Sequence, residues 1–408
     1  MNSLRLKALL GAGCFSMALA GAAHAGGFAR GSADTDILFD DGNFNMRAGV
    51  TYVSPKREFS KVQAASPGLL GTSYTNDYVV PSAAVKMNLT DNLRCAGTMV
   101  DNNGGSAVYA VPKPSRKLTE DFTTNEKALT CGVKFQVGGG NFWLLGGGYM
   151  ENFDYHRTNL YGTMGPTTAD ATLDLDGREF GYRIGAAYEI PDIALRAQVM
   201  YRSGTSYGAS GQLVAPAAVL AGALTAQGVP DALNPFKALP GATQVPLDAV
   251  GMGNLPQTVE VKLQSGIAPG WLAFGSVKWS DWSVQKSLDV RSKPSAAFPS
   301  GVPVSSDVYN WKDGWTVTGG VGHAFNDRVS GLVSLTWDSG VSTGYDFSSD
   351  TYTLAVGASV KDTMGGELRG GVGLSYLTAS EITKGADVGF AVKAGYAVAG
   401  SLSYNVKW

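Results

Sequence analysis

Apolar and polar residues alternate with a period of two along most of the chain. Leu402, Tyr404, Val406 and Trp408 are interleaved with Ser401, Ser403, Asn405 and Lys407, which puts the two sets on opposite faces of a strand. The same period runs through Phe180, Tyr182, Ile184, Ala186 and Tyr188, through Tyr352, Leu354, Val356, Ala358 and Val360, and through Leu368, Gly370, Val372, Leu374 and Tyr376. One such segment would also suit a half-buried soluble sheet. Tight turns join the segments in pairs, at Thr90-Asp91-Asn92, Gly138-Gly139-Gly140-Asn141, Pro191-Asp192, Pro269-Gly270, Asn326-Asp327 and Met364-Gly365-Gly366, whereas the alternate connections are longer. The pattern predicts about 14 strands, an even number that returns both ends to one side of a membrane. Their expected spans are roughly 45–54, 75–88, 93–101, 126–137, 142–155, 176–190, 194–212, 257–268, 271–283, 315–325, 329–340, 351–361, 366–377 and 386–408.

The amino terminus supplies an export signal. Arg5 and Lys7 precede an apolar run from Ala8 to Ala20, and Ala23-His24-Ala25 suits signal peptidase, so residues 1–25 are read as a signal peptide cleaved before Gly26. That run has 13 residues, short of the roughly 20 that a spanning helix needs. Only 16% of residues are charged, against about 25% in soluble domains, and 54 glycines with 17 tyrosines and 8 tryptophans suit an ordinary enzyme poorly. The longest nearly apolar stretch beyond the signal, Leu213 to Ala226, has 14 residues and contains Pro216. Only helices and closed sheets satisfy every backbone group within lipid. An exported chain of this composition without a spanning helix is therefore expected to be an all-β, antiparallel transmembrane barrel in the bacterial outer membrane. A net charge of −2 argues against nucleic acid as a partner.

Leu255-Pro256-Gln257, Val259, Val261, Pro269-Gly270-Trp271-Leu272 and Val277-Lys278-Trp279-Ser280-Asp281-Trp282-Ser283 resemble the middle signature of the FadL family of outer-membrane long-chain fatty-acid transporters. Trp311-Lys312-Asp313-Gly314-Trp315, His323-Ala324-Phe325-Asn326-Asp327, Gly331 and Trp337-Asp338-Ser339 are also similar to that family, as are Gly181, Gly185, Tyr188-Glu189 and Tyr201-Arg202-Ser203 upstream. The resemblance implies a 14-stranded barrel (45–408) plugged by an amino-terminal hatch (26–44). It implies extracellular capture of a hydrophobic ligand, an internal pocket, and lateral exit into the membrane beside a distorted third strand. Uptake would be passive, with a fatty acid or similar compound as cargo and no cofactor. The family's Asn-Pro-Ala hatch element is missing, and Asp40-Asp41-Gly42-Asn43 stands near its place.

Candidate ligand contacts follow. Phe28, Phe39 and Phe44 lie in or beside the hatch. Val219, Leu220, Leu224 and Phe236 belong to a long, nearly uncharged connection from Leu213 to Asn254, and exposed apolar loops of that kind need a reason, whether a ligand, barrel capping or a neighbouring subunit. A second loop is expected at His156 to Leu175, short for the family. Arg157 and Lys312 match basic positions of the family motif and are the candidates for a carboxylate head group. Ordinary rim or lumen charge is the competing reading, illustrated by Arg47, Lys86, Arg94, Lys134, Arg183, Arg196, Lys278 and Arg369. Other partners expected are outer-membrane lipid and lipopolysaccharide, and the barrel assembly machinery through the strand ending at Trp408.

Rival chemistry finds little support. Asp34, Asp36, Asp40 and Asp41 match no standard calcium loop, and Gly340-Val341-Ser342-Thr343-Gly344 joins two expected strands rather than a strand and a helix. His156 and His323 are far apart in the strand order, which leaves no base beside a nucleophile. Cys95 and Cys131 lie on adjoining strands, either bridged or as two separate thiols. A general aqueous porin and, behind it, an outer-membrane hydrolase are the alternative functions.

Overall fold

A computed structural model describes residues 26–164, 167–294, 301 and 303–408; the expected signal peptide lies outside them. The strands are β1 (Phe44–Lys56), β2 (Tyr78–Asn88), β3 (Leu93–Val108), β4 (Lys117–Val137), β5 (Gly140–Met164), β6 (Thr167–Ile190), β7 (Leu195–Arg202 continued by Thr205–Pro216), β8 (Gln244–Leu255 and Thr258–Ala268), β9 (Trp271–Ser280 and Ser287–Ser292), β10 (Pro303–Val308 and Gly314–Ala324), β11 (Val329–Asp338), β12 (Thr351–Lys361), β13 (Gly366–Leu377) and β14 (Gly395–Lys407). Each pairs antiparallel with its neighbours, and β14 pairs with both β13 and β1. The result is a closed barrel of 14 strands, whose ladders satisfy the backbone against lipid except where β2 and β3 part above Ser82 and Val100. Both ends meet on the side of the tight turns, where Asn43 donates its backbone N–H to the Trp408 carbonyl at 3.0 Å.

Alternation produces the wall. Phe180, Tyr182, Ile184, Leu335, Leu354 and Val398 face outward and are exposed, while Arg47, Lys86, Glu126, Thr130, Arg183 and Thr351 are buried in the lumen. On β6 the polarity inverts. Below Gly177 the apolar residues point out, but above it Ala169, Ala171, Leu173 and Leu175 are buried inside and Asp174 and Asp176 are exposed outside. The period of two persists across the change because the strand does. The upper barrel thus stands in water with an apolar interior.

That inversion corrects the expected loop at His156 to Leu175. The segment is a paired hairpin, with Arg157 opposite Leu173 and Asn159 opposite Ala171, because its inner face meets an apolar interior and its polar face meets water. The connection after Leu213 is also partly regular. Strand β7 runs to Pro216, a helix (α1) occupies Ala217–Ala226, and β8 begins at Gln244.

Four neighbouring strands, β7 to β10, break at one level, at 203–204, 256–257, 281–286 and 309–313. Pro256 has no N–H to give the ladder, and Gly204 lies where a Cβ would fall 2.8 Å from the Leu255 carbonyl oxygen. The residues resembling the family signature stitch these breaks. Gln257 donates to Asp281 at 3.0 Å and accepts from the Tyr201 hydroxyl at 3.0 Å, and the Trp279 indole N–H donates to Asp313 at 3.0 Å. Freed from the ladder, Trp282 and Trp311 are buried inside the barrel. Cys95 and Cys131 sit opposite each other on β3 and β4 and form a disulfide.

The hatch fills the lumen. A 3-10 turn at Thr35–Phe39 buries Ile37 and Leu38 completely, against Ala84, Ala96, Trp143 and Leu145. Its carboxylates are matched to barrel cations, Asp34 and Asp40 (2.7 Å) to Arg47 and Asp36 to Lys262 (3.1 Å). The ammonium of Lys86 donates to the carbonyls of Asp40 and Gly42, both at 2.7 Å. Above it, Glu126 pairs with Arg183 and with Arg202 (2.8 Å), and Glu151 pairs with Arg202 (2.9 Å) and accepts from Thr205 (2.9 Å).

Candidate functional site

Between the hatch and the extracellular loops lies a cavity of about 450 Å³. Aromatic rings line its lower half. Phe28, on the hatch, packs 4.5 Å from Phe122, 4.6 Å from Trp311 and 5.5 Å from Tyr309, centroid to centroid, and Trp282 closes on Trp311 at 5.1 Å. Gly27 takes a left-handed φ of 63° beneath Trp282, and a Cβ there would fall 2.5 Å from the indole. Only glycine lets the hatch slide Phe28 into this cage. The upper half is roofed by Phe59, Tyr74, Tyr109 and Phe347, held by a small sheet of Phe59–Lys61, Ser380–Glu381 and Ala391–Val392.

Most cations around the cavity are already engaged. Lys117 pairs with Glu120 (2.6 Å) and Asp307 (3.2 Å), Lys113 with Asp387, and Arg57 donates to the carbonyls of Phe347 (2.7 Å) and Thr378 (2.5 Å). Arg30 differs. It is buried, its guanidinium lies 4.3 Å over the Tyr78 ring, and it has no ion pair among the described residues. It lines both this cavity and a smaller one of about 160 Å³ that also touches the charged side chains of Asp36, Lys262, Lys278 and Arg369. Arg30 therefore partitions the two chambers.

Beside Arg30 the wall is incomplete. The β2–β3 ladder stops at Ser82 and Val100, β2 continues to Tyr78 against β1 alone, and β3 bulges at Asn102 before running on with β4. The hatch patches the opening as a strand would. Arg30 and Gly31 donate backbone N–H groups to the Asn102 carbonyl (2.9 and 3.3 Å), and Gly104 donates to the Phe28 carbonyl (2.8 Å). Gly31 is wedged between the two strands, since a Cβ there would lie 2.7 Å from Val100 and 3.1 Å from Val80.

The residues expected from sequence are not gathered at one place. Phe28 is at the centre of the cavity. Phe39 lies lower, 5.6 Å from Trp143, and Phe44 packs on Trp408 at the periplasmic rim. Val219 and Leu220 line a side cavity of about 70 Å³ together with Arg157; Leu224 is fully buried, and Phe236 packs against the extracellular core. Arg157 is neutralised by Asp307 at 2.7 Å. Lys312 is exposed, because its neighbour Trp311 takes the inward position, and among the described residues only its backbone N–H is engaged, donating to the Val341 carbonyl at 3.0 Å. The cation pair anticipated for a head group is thus not assembled. Sequence reading missed Arg30 and the Trp282–Tyr309–Trp311 cage; the signal present was a lone arginine near Gly27 and Gly31 in the plug.

The other motifs resolve locally. The Ser342 hydroxyl donates to the Asp346 carbonyl (3.0 Å) and accepts from Gly344 N–H (3.0 Å). His156 bonds Asp174 on the outer surface, and His323 stacks on Trp271. Asp346, in the loop over the cavity, accepts from the Trp311 indole and from Ser348 N–H (2.8 Å). Burial pushes its carboxyl up, and the Trp311 bond offsets part of that rise. The folded loop therefore favours the protonated acid, so this contribution is present below the ordinary carboxylate pKa of about 4 and is lost as pH rises through the raised value. Asp346→Asn is expected to remove that loss. Loop cleavage by a protease, compared at pH 4 and pH 7, should rise with pH in the wild type and stay flat in the variant; parallel profiles would refute the linkage.

The model of a family described as outer membrane protein transport protein (OMPP1/FadL/TodX) matches residues 12–331. Among solved structures, a Pseudomonas aeruginosa FadL homologue is similar with a TM-score of 0.70 at 15% identity, over 91% of this chain and 92% of that one. The P. putida toluene transporter TodX gives 0.64 at 14% identity, over 98% and 99%. The Ralstonia pickettii toluene transporter TbuX gives 0.63 at 12%, also over 98% and 99%. No curated protein matches by sequence.

Proposed function

The chain belongs to the OMPP1/FadL/TodX family of outer-membrane transport proteins, and from that premise we propose that its cargo is a long-chain fatty acid, taken up passively. It is an outer-membrane β-barrel channel for hydrophobic compounds and not an enzyme. In this reading the acid is captured among the extracellular loops, enters the aromatic cavity tail or head first, and leaves sideways between β2 and β3 when the hatch withdraws. One observation carries it: Arg30 and Gly31 form the partition between the apolar cavity and the opening in the lipid-facing wall. A carboxylate that reached Arg30 would pull on the segment that seals the exit. The lumen-filling hatch weighs against an open aqueous pore, and rapid sugar flux into liposomes carrying the barrel would overturn the plugged reading.

The domain boundaries form part of the same proposal, with cleavage before Gly26, a hatch at 26–44 and the barrel at 45–408. Gly26 supports it. A Cβ on that residue would fall within 2.4 Å of an Asp338 carboxylate oxygen, so Gly26 packs into the barrel interior beside a buried carboxylate, as the first residue of a hatch would.

Replacing Arg30 by Gln is expected to weaken binding of a fatty acid by about tenfold to a hundredfold, the worth of a hydrogen bond to a charged group. Binding of the matching fatty alcohol should barely change, and Lys312→Ala should affect neither. Calorimetry on the purified barrel decides it, and equal losses for acid and alcohol would remove Arg30 as the head-group contact. A neutral monoaromatic cargo is the second reading, favoured by the Phe28–Phe122–Trp311 cage and by two similar structures that are toluene transporters. Toluene binding that survives Arg30→Gln in a protein that ignores fatty acids would select it.

A further inference from the structure

Outward-facing residues of β3, β4 and β5 form two rows across the membrane wall. The register sets Gly97, Leu129 and Gly148 side by side in one row, and Met99, Lys127 and Met150 in the next row toward the outside. The two glycines dent the wall on either side of Leu129, and a groove follows them across the surface. It is open space. A Cβ on Gly97 would meet nothing within 4 Å, and one on Gly148 only a backbone oxygen at 3.7 Å. Leu129 and Phe180 beside it are 59% and 71% exposed, which places the groove in the acyl-chain region of the bilayer.

Lys127 stands at its outer rim. The row above is polar, with Asn125 bonded to Asp101 (2.8 Å) and exposed Arg178 bonded to Asn152 (3.1 Å). Two methionines flank Lys127 in its own row, and its ammonium has no hydrogen bond or ion pair among the described residues. A lysine facing lipid is tolerated where it reaches the interface. The anions at that height are head-group phosphates. Since the rim faces the cell exterior, the lipid that meets it belongs to the outer leaflet.

We propose that this groove holds an acyl chain of lipid A, the phosphorylated glycolipid anchor of lipopolysaccharide, with a phosphate on Lys127 and Arg178 beside it. The groove reaches Ala83, Ala84 and Val85 on β2, just below the end of the β2–β3 ladder, and the binding proposed uses no contact to the hatch or to the cargo. Retention is measured by native mass spectrometry of the folded barrel after exposure to lipid A, to dephosphorylated lipid A or to phosphatidylglycerol. The wild type should retain lipid A about tenfold better than either of the others. Lys127→Gln should abolish that preference. Gly97→Leu with Gly148→Leu should fill the groove and lower retention of lipid A by a similar factor. Gly319→Leu, on the opposite wall and with nothing within 4 Å of its Cβ, should leave retention unchanged and controls for an added side chain. Equal retention of phosphatidylglycerol, indifference to the groove-filling pair, or the same loss with Gly319→Leu would overturn the assignment.

Discussion

A Gly31→Cys, Val100→Cys double variant is expected to stop uptake of the hydrophobic cargo when oxidised and to recover it on reduction. The effect should be near complete, because it locks the one segment that seals the lateral opening. A Cβ at position 31 would lie 2.7 Å from a γ-methyl of Val100, and replacing valine's two γ carbons by one sulfur puts a γ atom of position 100 within reach of a sulfur on position 31, at the roughly 3.5–4.5 Å Cβ separation that a disulfide uses. The added Cβ also meets the Asp101 backbone oxygen at 2.8 Å, so the reduced double variant, which carries the same two side chains without the bridge, is the control for local distortion. Reductant given to the wild type controls for the native Cys95–Cys131 bridge. Accumulation of labelled ligand in cells, with and without reductant, reads the result. Undiminished uptake in the oxidised variant would mean that cargo leaves by another route.

The second large effect concerns stability. Glu126 is buried between Arg183 and Arg202, and removing the shared carboxylate strands the buried Arg183 guanidinium and leaves the partly buried Arg202 with Glu151 alone. Truncating one partner of a buried pair costs about 3–5 kcal/mol. Glu126→Ala should lower the unfolding free energy by about that amount, as measured by urea titration in lipid vesicles. Adding Arg183→Ala should return part of the loss, since it removes the stranded charge. A change below about 0.5 kcal/mol for Glu126→Ala would show that lumenal water compensates these groups.

Much of the barrel was legible from alternation alone. The spans expected for β12 and β13 coincide with those observed, and β1, β2 and β11 differ by a few residues. Alternation reports only a strand with unlike faces, and lipid outside a polar lumen is one way to supply them. The upper parts of β4 to β6 supply them the other way round, which is why the pattern predicts shorter strands there and a loop at 156–175. Breaks in β7 to β10 were harder to see. Only Pro256 advertises its break, while 281–286 and 309–313 read as polar strand ends next to tryptophans.

The site was legible in kind rather than in detail. Phe28 was recoverable as an apolar residue in a plug. Its partners Trp282 and Trp311 belong to the segments that resemble the family, yet the motif points to the adjacent Lys312 and not to the tryptophan. Alternation is local, and once the ladder is interrupted at 309–313 it no longer says which neighbour turns inward. Arg30 and the β2–β3 opening depend on contacts between residues about 70 positions apart, beyond the reach of any local pattern.

The polarity inversion at Gly177 has a consequence for where the energetic work of entry is done. An apolar solute loses its water where greasy surface first encloses it. In this barrel that surface begins above the bilayer, at the height of the sugar layer that coats the cell. A molecule seated beside Phe28 has passed the carbohydrate barrier within protein walls before it touches lipid. In the uptake route proposed above, what remains is a sideways step into the acyl chains, downhill for an oily solute.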